Sequence, residues 1–294
     1  MAGGALAPLA RLTEVARAIG RSRDLSRRVT VPLHLDELGR LAETFNEMLA
    51  SLHGAVEAQR RFVADASHEL RAPLTAIQGN LELLRRYPGM PEGDHEEALI
   101  GAEREAARLG RLVADLLALA RSDAGVPMRR ERVELDELAL EALREARHMS
   151  SGLTLEVGAL EPLALEGDRD GLKQLLLILL DNAVQYTPPG GRVRLEVRRS
   201  TDLAELTVSD TGVGIGPEHL GRVFERFYRA DPARGRRGGS GLGLAIAEAI
   251  VNGHGGRIRL ESRVGTGTTA RVELPLDPAA SRQGGSSAQP QFSR

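Results

Sequence analysis

Residues 62–75 read FVADASHELRAPLT, and the reading of the first half of the chain turns on this segment. Leu70, Leu74, Ile77, Leu81 and Leu84 recur at steps of four and three, the spacing of one stripe of an α-helix. His68 falls two residues before that stripe begins, which predicts an imidazole off the seam and in water, free to react. Glu69 and Arg71 flank it closely, and Pro73 removes a backbone donor, so a bend is expected there. A single histidine beside a glutamate is more often only a solvated helix face, so its meaning depends on the rest of the chain.

Upstream, Leu9, Leu12, Val15 and Ile19 form a short amphipathic stripe. An Arg-rich connector follows, then a second stripe through Leu38, Leu41, Phe45, Met48 and Leu52 with Asp36 as its expected N-cap. No Pro or Gly pair interrupts the chain from there to Ala72, and the helix is expected to end near Tyr87, where Pro88, Gly89, Pro91 and Gly93 cluster. A second long helix is expected from about His95 to Ser122, with Ala102, Ala106, Leu109, Val113, Leu116 and Ala120 on its stripe. Two helices with such narrow seams do not fold alone. Pairing two hairpins into a four-helix bundle buries both seams, which predicts a homodimer.

The segment around His68 resembles the phosphoacceptor box of sensor histidine kinases, and residues 1–57 are similar in pattern to the HAMP signal-relay module. In that family a membrane-spanning helix feeds the first HAMP helix. The resemblance therefore implies either the cytoplasmic portion of a cell-membrane sensor or a gene that has lost its span. No run of the sequence approaches the length of about eighteen apolar residues that a span requires, and the opening MAGGALAP lacks the pattern of a signal peptide, so the chain as given is expected to be soluble.

Composition bounds the remaining choices. The 294 residues suffice for about two domains with full cores. A net charge of −2 argues against a polyanion-binding role, and 3% aromatic residues with no Trp argue against base stacking, so no nucleic-acid partner is expected. The absence of cysteine excludes disulfides, thiol catalysis and cysteine metal sites.

Beyond residue 127 the period of two typical of strands appears. RVEL, TLEV, LALE, RVRLEVRR, AELTVSD, RIRLES and TTARVELPL read as strands, with helices expected over residues 136–149, 170–186 and 242–252. The expected fold class is therefore multidomain: an all-α hairpin followed by an α+β sandwich of two layers. Expected boundaries are 1–57, 58–124 for the hairpin, 128–277 for the sandwich and 278–294 for a disordered tail rich in Ser, Gly, Gln and Ala.

Four patches in the second domain resemble the boxes of the Bergerat ATP-binding fold shared by histidine kinases, gyrase-type topoisomerases and Hsp90-type chaperones. The first, LLLILLDNAVQYTPPGG, carries Asn182, whose amide oxygen can bind Mg²⁺, and Tyr186. Many relatives carry a second Asn one turn earlier, where this chain has Ile178, so Asn182 alone would hold the cation. The second patch places Asp210 at a strand end, where its carboxylate can accept a hydrogen bond from adenine. Gly212 and Gly214 leave room for close backbone approach. In the third, VFERFYR, Phe224 and Phe227 are expected to anchor the segment, while Arg229 or Arg226 could reach a triphosphate. Residues 230–240 after it have the Gly-rich, basic composition of a lid. The fourth, Gly239-Ser240-Gly241-Leu242-Gly243-Leu244, opens into a helix whose free N–H groups favour phosphate oxygens, and no GKS or GKT follows to suggest a P-loop.

The resemblance, which spans roughly residues 60–275, implies ATP-dependent autophosphorylation of His68, with Glu69 fixing its tautomer. It implies onward transfer to an aspartate of a separate response regulator. Ala72 stands where relatives that dephosphorylate their partner often carry Thr or Asn, which implies weak phosphatase activity. The alternative is a dimeric scaffold of the same fold that binds ATP without phosphotransfer, with Ile178 as the mark of lost catalysis. An ATP-driven clamp like the chaperones is disfavoured, because hydrolysing members of the fold need an acid at the position of Ile178.

Overall fold

The computed structural model describes residues 14, 17, 28, 29, 37–124, 128–147, 152–230 and 240–276. The stripe through Leu9, Leu12, Val15 and Ile19, the cap at Asp36, Gly239, most of the lid-like stretch and the tail lie outside them.

Helix α1 (Glu37–Arg86) runs for 50 residues with Pro73 inside it. By contacts the chain divides into two compact units, residues 1–72 and 73–294. Within the first, Asn46 clamps the connector: its Oδ1 accepts from the Val29 N–H and its Nδ2 donates to the Val29 carbonyl, both at 2.9 Å. Those two bonds satisfy the backbone of a buried residue, as buried peptide groups require.

In the second unit, the end of α1 turns into α2 (Glu92–Asp123). This helix begins three residues earlier than its stripe suggested. Pro91 (φ −53°, ψ 143°) has the extended backbone of an N-cap, and the following Glu92 and Asp94 favour a helix N-terminus, so Gly93 costs too little to delay it. The seams are only partly covered: Leu74 and Leu81 of α1 and Val113 of α2 are more than 40% exposed. By contrast α2 buries Ala98, Ala102, Leu112 and Leu119, a stripe displaced from the expected one, whose Ala106 and Ala120 are exposed. A cleft of about 1220 Å³ lined by Asn80, Tyr87, Glu97 and Arg104 opens at the turn end of the hairpin.

The sandwich follows in the order β1 (Glu131–Glu134), α3 (Leu135–Arg147), β2 (Thr154–Leu160), β3 (Ala164–Gly167), α4 (Arg169–Tyr186), β4 (Arg192–Ser200), β5 (Leu203–Asp210), α5 (Pro217–Leu220), α6 (Gly243–Gly253), β6 (Arg257–Arg263) and β7 (Gly267–Pro275). Five strands form one sheet in the order β2-β4-β5-β7-β6, antiparallel except for the β2–β4 pair, and β1 with β3 forms a separate antiparallel pair. Alternate residues point to one face. Val193, Leu195 and Val197 of β4, Ala204, Leu206 and Val208 of β5, and Ala270, Val272 and Leu274 of β7 are all buried. They share one core with Leu135, Leu138 and Leu143 of α3, Leu172, Leu175, Leu176 and Leu180 of α4, and Ala247 and Val251 of α6. Each fully buried Leu contributes about 1.5–3 kcal/mol. The opposite face is charged, with Arg271 paired to Glu205 and Arg194 to Glu196.

His254, just after α6, ties that helix to the start of α4. Its Nδ1–H donates to the Ile250 carbonyl at 2.7 Å, so Nε2 is left as the acceptor that takes the Asp168 N–H at 3.0 Å. Asp168 in turn caps α4 by accepting from the Gly171 N–H. His254→Phe is expected to leave the Asp168 N–H without a partner and to cost about 1–3 kcal/mol, read as a lower urea midpoint with unchanged slope.

Candidate functional site

His68 lies on α1 with its side chain exposed, and no hydrogen bond or ion pair engages it among the described residues. Glu69 beside it is half-buried and the following Arg71 is exposed. Spacing that put the imidazole off the hydrophobic stripe is thus reflected in its exposure.

The four patches of the sandwich, scattered along more than sixty residues of sequence, are joined to one another. The last residue of α4, Tyr186, gives its carbonyl to the Val213 N–H at 3.1 Å. A Cβ on Gly212 would stand 2.5 Å from that same carbonyl oxygen. This welds the Asn182 helix to the loop after β5, and only glycine fits. Ile178, partly buried against the core, faces α6: a Cβ on Gly243 would come within 3.3 Å of its Cγ2. The Phe227 N–H donates to the Gly241 carbonyl at 2.9 Å, joining the aromatic patch to the Gly-rich turn.

Asp210 ends β5 between these links. Its Oδ1 accepts from the Gly212 N–H at 2.7 Å and the Thr268 N–H at 3.2 Å, while Oδ2 has no partner among the described residues. Burial pushes the carboxyl above its ordinary range, against the two backbone donors that lower it. The arrangement leaves one acceptor oxygen, already partly stripped of water, for an external N–H donor. Thr268 and its neighbour Ser262, whose hydroxyls are 2.8 Å apart, belong to this site although no motif pointed to them. Ser262 also takes the Ile215 N–H at 2.8 Å and so fixes the loop from below. Their only sequence signal is a Thr-rich start to β7, which is common in strands.

Gly214 (φ +70°) could not carry a side chain, since a Cβ would meet the Arg263 carbonyl at 2.1 Å. Asn182 is half-buried on α4 and Tyr186 is 44% exposed.

The two candidate arginines differ. Arg226 is bound to Asp123 at the end of α2 (2.6 Å), whereas Arg229 has no hydrogen-bond or ion-pair partner among the described residues. Phe224 packs only partly against the core and Phe227 is half-buried at φ +61°. The buried member of the patch is Val223, so neither phenylalanine is a fully buried anchor.

In the Gly-rich turn, Ser240 accepts from the Leu242 N–H at 3.3 Å and bonds the Asp115 carboxylate of α2. Burial raises the Asp115 carboxyl, opposed by Arg111 and by that serine. Gly241 has φ +73°, Leu242 is fully buried, and Gly243 and Leu244 open α6 with no side-chain cap on its N–H groups.

These features fit an adenine nucleotide: an unpaired carboxylate oxygen for the base, a backbone that only glycine permits around it, and uncapped N–H groups at a helix start. Asn182, half-buried on α4, carries an amide oxygen of the kind a hard cation such as Mg²⁺ prefers, and would hold it together with the nucleotide's own phosphates.

Comparison with known proteins decides the family. Residues 1–54 match the HAMP domain and 58–125 the His Kinase A (phospho-acceptor) domain. Residues 167–278 match the histidine kinase-, DNA gyrase B- and HSP90-like ATPase. The chain belongs to the sensor histidine kinases. Over 95% of its length this sensor histidine kinase is 42% identical to the signal transduction histidine-protein kinase/phosphatase MprB of Mycolicibacterium vanbaalenii, covering 59% of that protein. It spans 51–60% of the length of the curated relatives it matches. Among solved structures, full-length ShkA in complex with AMPPNP is 26% identical (75% of this chain, 46% of that one, TM-score 0.55). The histidine kinase ThkA in complex with the response regulator TrrA shares the fold at 23% identity (77% and 64%, TM-score 0.61).

Proposed function

We propose that this sensor histidine kinase binds ATP with Mg²⁺, transfers the γ-phosphoryl group to a ring nitrogen of His68, and passes it to an aspartate of a separate response regulator. The observation that carries the reading is Asp210 with one oxygen held by two backbone N–H groups and the other unpaired, in the loop welded to the Asn182 helix. In this reading Asp210 Oδ2 accepts from the adenine amine, and Gly212 and Gly214 let the backbone lie against the ring. Tyr186 borders the base. Asn182 offers the amide oxygen to Mg²⁺, and Arg229 meets the phosphates together with the Ser240–Leu244 turn. When bound, Mg²⁺ offsets charge that develops on the transferring phosphoryl oxygens. Glu69 orients the His68 imidazole so that a ring-nitrogen lone pair stays available. The exposed apolar residues of the hairpin, Leu74, Leu81 and Val113, support a homodimer in which a second copy covers them. Among the described residues no helix is long and apolar enough to cross a membrane.

Asp210→Asn tests the base contact. Asn keeps an oxygen for the Gly212 and Thr268 N–H groups but turns an amide donor toward the adenine amine. Loss of a charge-assisted bond costs about 1.5–3 kcal/mol, so AMPPNP should bind roughly tenfold to a hundredfold more weakly while the fold persists. The pH profile has a definite sign. With its pKa raised above the ordinary value near 4, Asp210 takes up a proton sooner as pH falls. Wild-type affinity should therefore decline on the acid side from a higher pH than a normal carboxylate would give, and the Asn variant should lack that step. In stability terms the raised folded pKa makes this group unfavourable above it and less so as pH falls through it.

Ile178 favours a second reading, a scaffold that binds ATP without transfer. Incubation with γ-labelled ATP and Mg²⁺ separates them: label on the wild-type chain excludes the scaffold, and nucleotide binding with no label excludes the kinase. Ala72 adds one prediction. Dephosphorylation of a labelled response regulator should be slow, and Ala72→Thr should speed it. The curated relatives are named kinase/phosphatase, so rapid release by the wild-type chain would show that Ala suffices.

A further inference from the structure

The segment from α5 to Arg229 contains a bonded cluster centred on Tyr228. His219 Nδ1 lies 2.7 Å from the Tyr228 hydroxyl. The Arg222 guanidinium sits 4.3 Å over the Tyr228 ring and is itself held by both oxygens of Glu225, at 3.2 Å from Nε and 3.1 Å from Nη2. The Tyr228 N–H donates to the Glu225 carbonyl, and the Arg222 N–H to that of His219. Tyr228 is thus fixed by its hydroxyl, its ring face and its backbone.

What this fixation serves is visible one residue earlier. Phe227 adopts φ +61°, a strained conformation for a bulky side chain, and uses it to donate its N–H to Gly241. The two backbones touch so closely that a Cβ on Gly241 would stand 2.8 Å from the Phe227 carbonyl carbon and 3.0 Å from the Tyr228 oxygen. A strained turn persists only when its surroundings over-determine it, and the Tyr228 contacts are the ones that follow it directly. Arg229 leaves the chain at the next position.

We propose that His219 and Tyr228 are positioning residues for the triphosphate end of the nucleotide. Their ring-nitrogen-to-hydroxyl bond holds the Phe227 turn against Gly241 and so sets both the phosphate-facing turn and the point from which Arg229 extends. The proposal rests on the nucleotide reading of this domain. It assigns neither side chain a contact with ATP.

Calorimetric titration of the full chain with AMPPNP and with ADP tests it. His219→Phe and Tyr228→Phe should each weaken AMPPNP binding by roughly fivefold to tenfold, the scale of one neutral hydrogen bond. The loss should be larger for AMPPNP than for ADP, because the displaced groups serve the outer phosphates. The double variant should be no worse than either single, since both remove one bond. His219→Asn, whose amide reaches the place of Nδ1, should recover most of the affinity. Equal losses for ADP and AMPPNP, fully additive singles, or variants that bind like wild type would each overturn the proposal while leaving the nucleotide site intact. A wild-type chain that binds neither nucleotide would instead overturn the site reading, and this inference with it.

Discussion

His68→Gln is expected to reduce transfer of label from γ-labelled ATP to background. His68 is exposed on a long helix and no bond engages it among the described residues, so the substitution removes chemistry rather than structure. Gln is a good helix former of similar reach, but its amide nitrogen has no available lone pair and cannot form an N–P bond. The product on the wild-type chain should be stable to alkali and labile to acid, as expected of a phosphorylated ring nitrogen. AMPPNP affinity of the variant should match wild type, since the Asp210 site lies on the other compact unit. Glu69→Gln should give a smaller loss, roughly a hundredfold in rate, if the acid only orients the ring and raises its basicity. Label retained in His68→Gln would place the acceptor elsewhere.

Gly267→Ala carries the second large effect, on fold and site together. Gly267 opens β7 at φ +127°, a region in which L side chains are strained, and its Cβ would lie 1.9 Å from the Asp210 carbonyl oxygen. The obstacle is backbone, not a flexible side-chain end, so β5 and β7 must part where they hold Asp210. Strain of about 1–3 kcal/mol and a steric term of similar size predict a loss of about 2–6 kcal/mol in urea unfolding. Since the adjacent Thr268 N–H is one of the two donors that hold Asp210, AMPPNP binding should fall as well. Gly190→Ala is the control. Gly190 has φ +84° but nothing within 4 Å of a Cβ, so it should show the conformational cost alone, about 1–2 kcal/mol, with nucleotide affinity unchanged. Equal destabilisation by the two variants would mean that the Asp210 contact is not what Gly267 protects.

How much of this was legible beforehand varied with the range of the interaction involved. The hairpin helices were read from four-and-three spacing because every residue of a helix is within one turn of its hydrogen-bond partner. The same locality explains why α2 began at Glu92 and not at His95: the apolar stripe reports burial, whereas Pro91 and the acids after it set the helix start. Strands were found from alternation, but their pairing was not. The parallel β2–β4 contact joins segments about forty residues apart, with two further elements between them. Within the candidate site, Asp210, Asn182 and the glycines were picked out by motif. Thr268, Ser262, the His219–Tyr228 bond and the engagement of Arg226 by Asp123 were not, since each depends on a partner far along the chain or on a common residue in an uncommon place.

By itself, then, the sequence determined the elements: an exposed histidine on a helix, two narrow seams, an alternating sheet, and glycines where the backbone must turn. Only the tertiary structure decided which oxygen of Asp210 stays unpaired, which arginine is committed elsewhere, and why Gly267 admits no side chain. Local spacing controls hydrogen bonds that close within a few residues. The chemistry of the site lies in atoms from β5, β7, α4 and α6 that meet only when the core beneath them is packed.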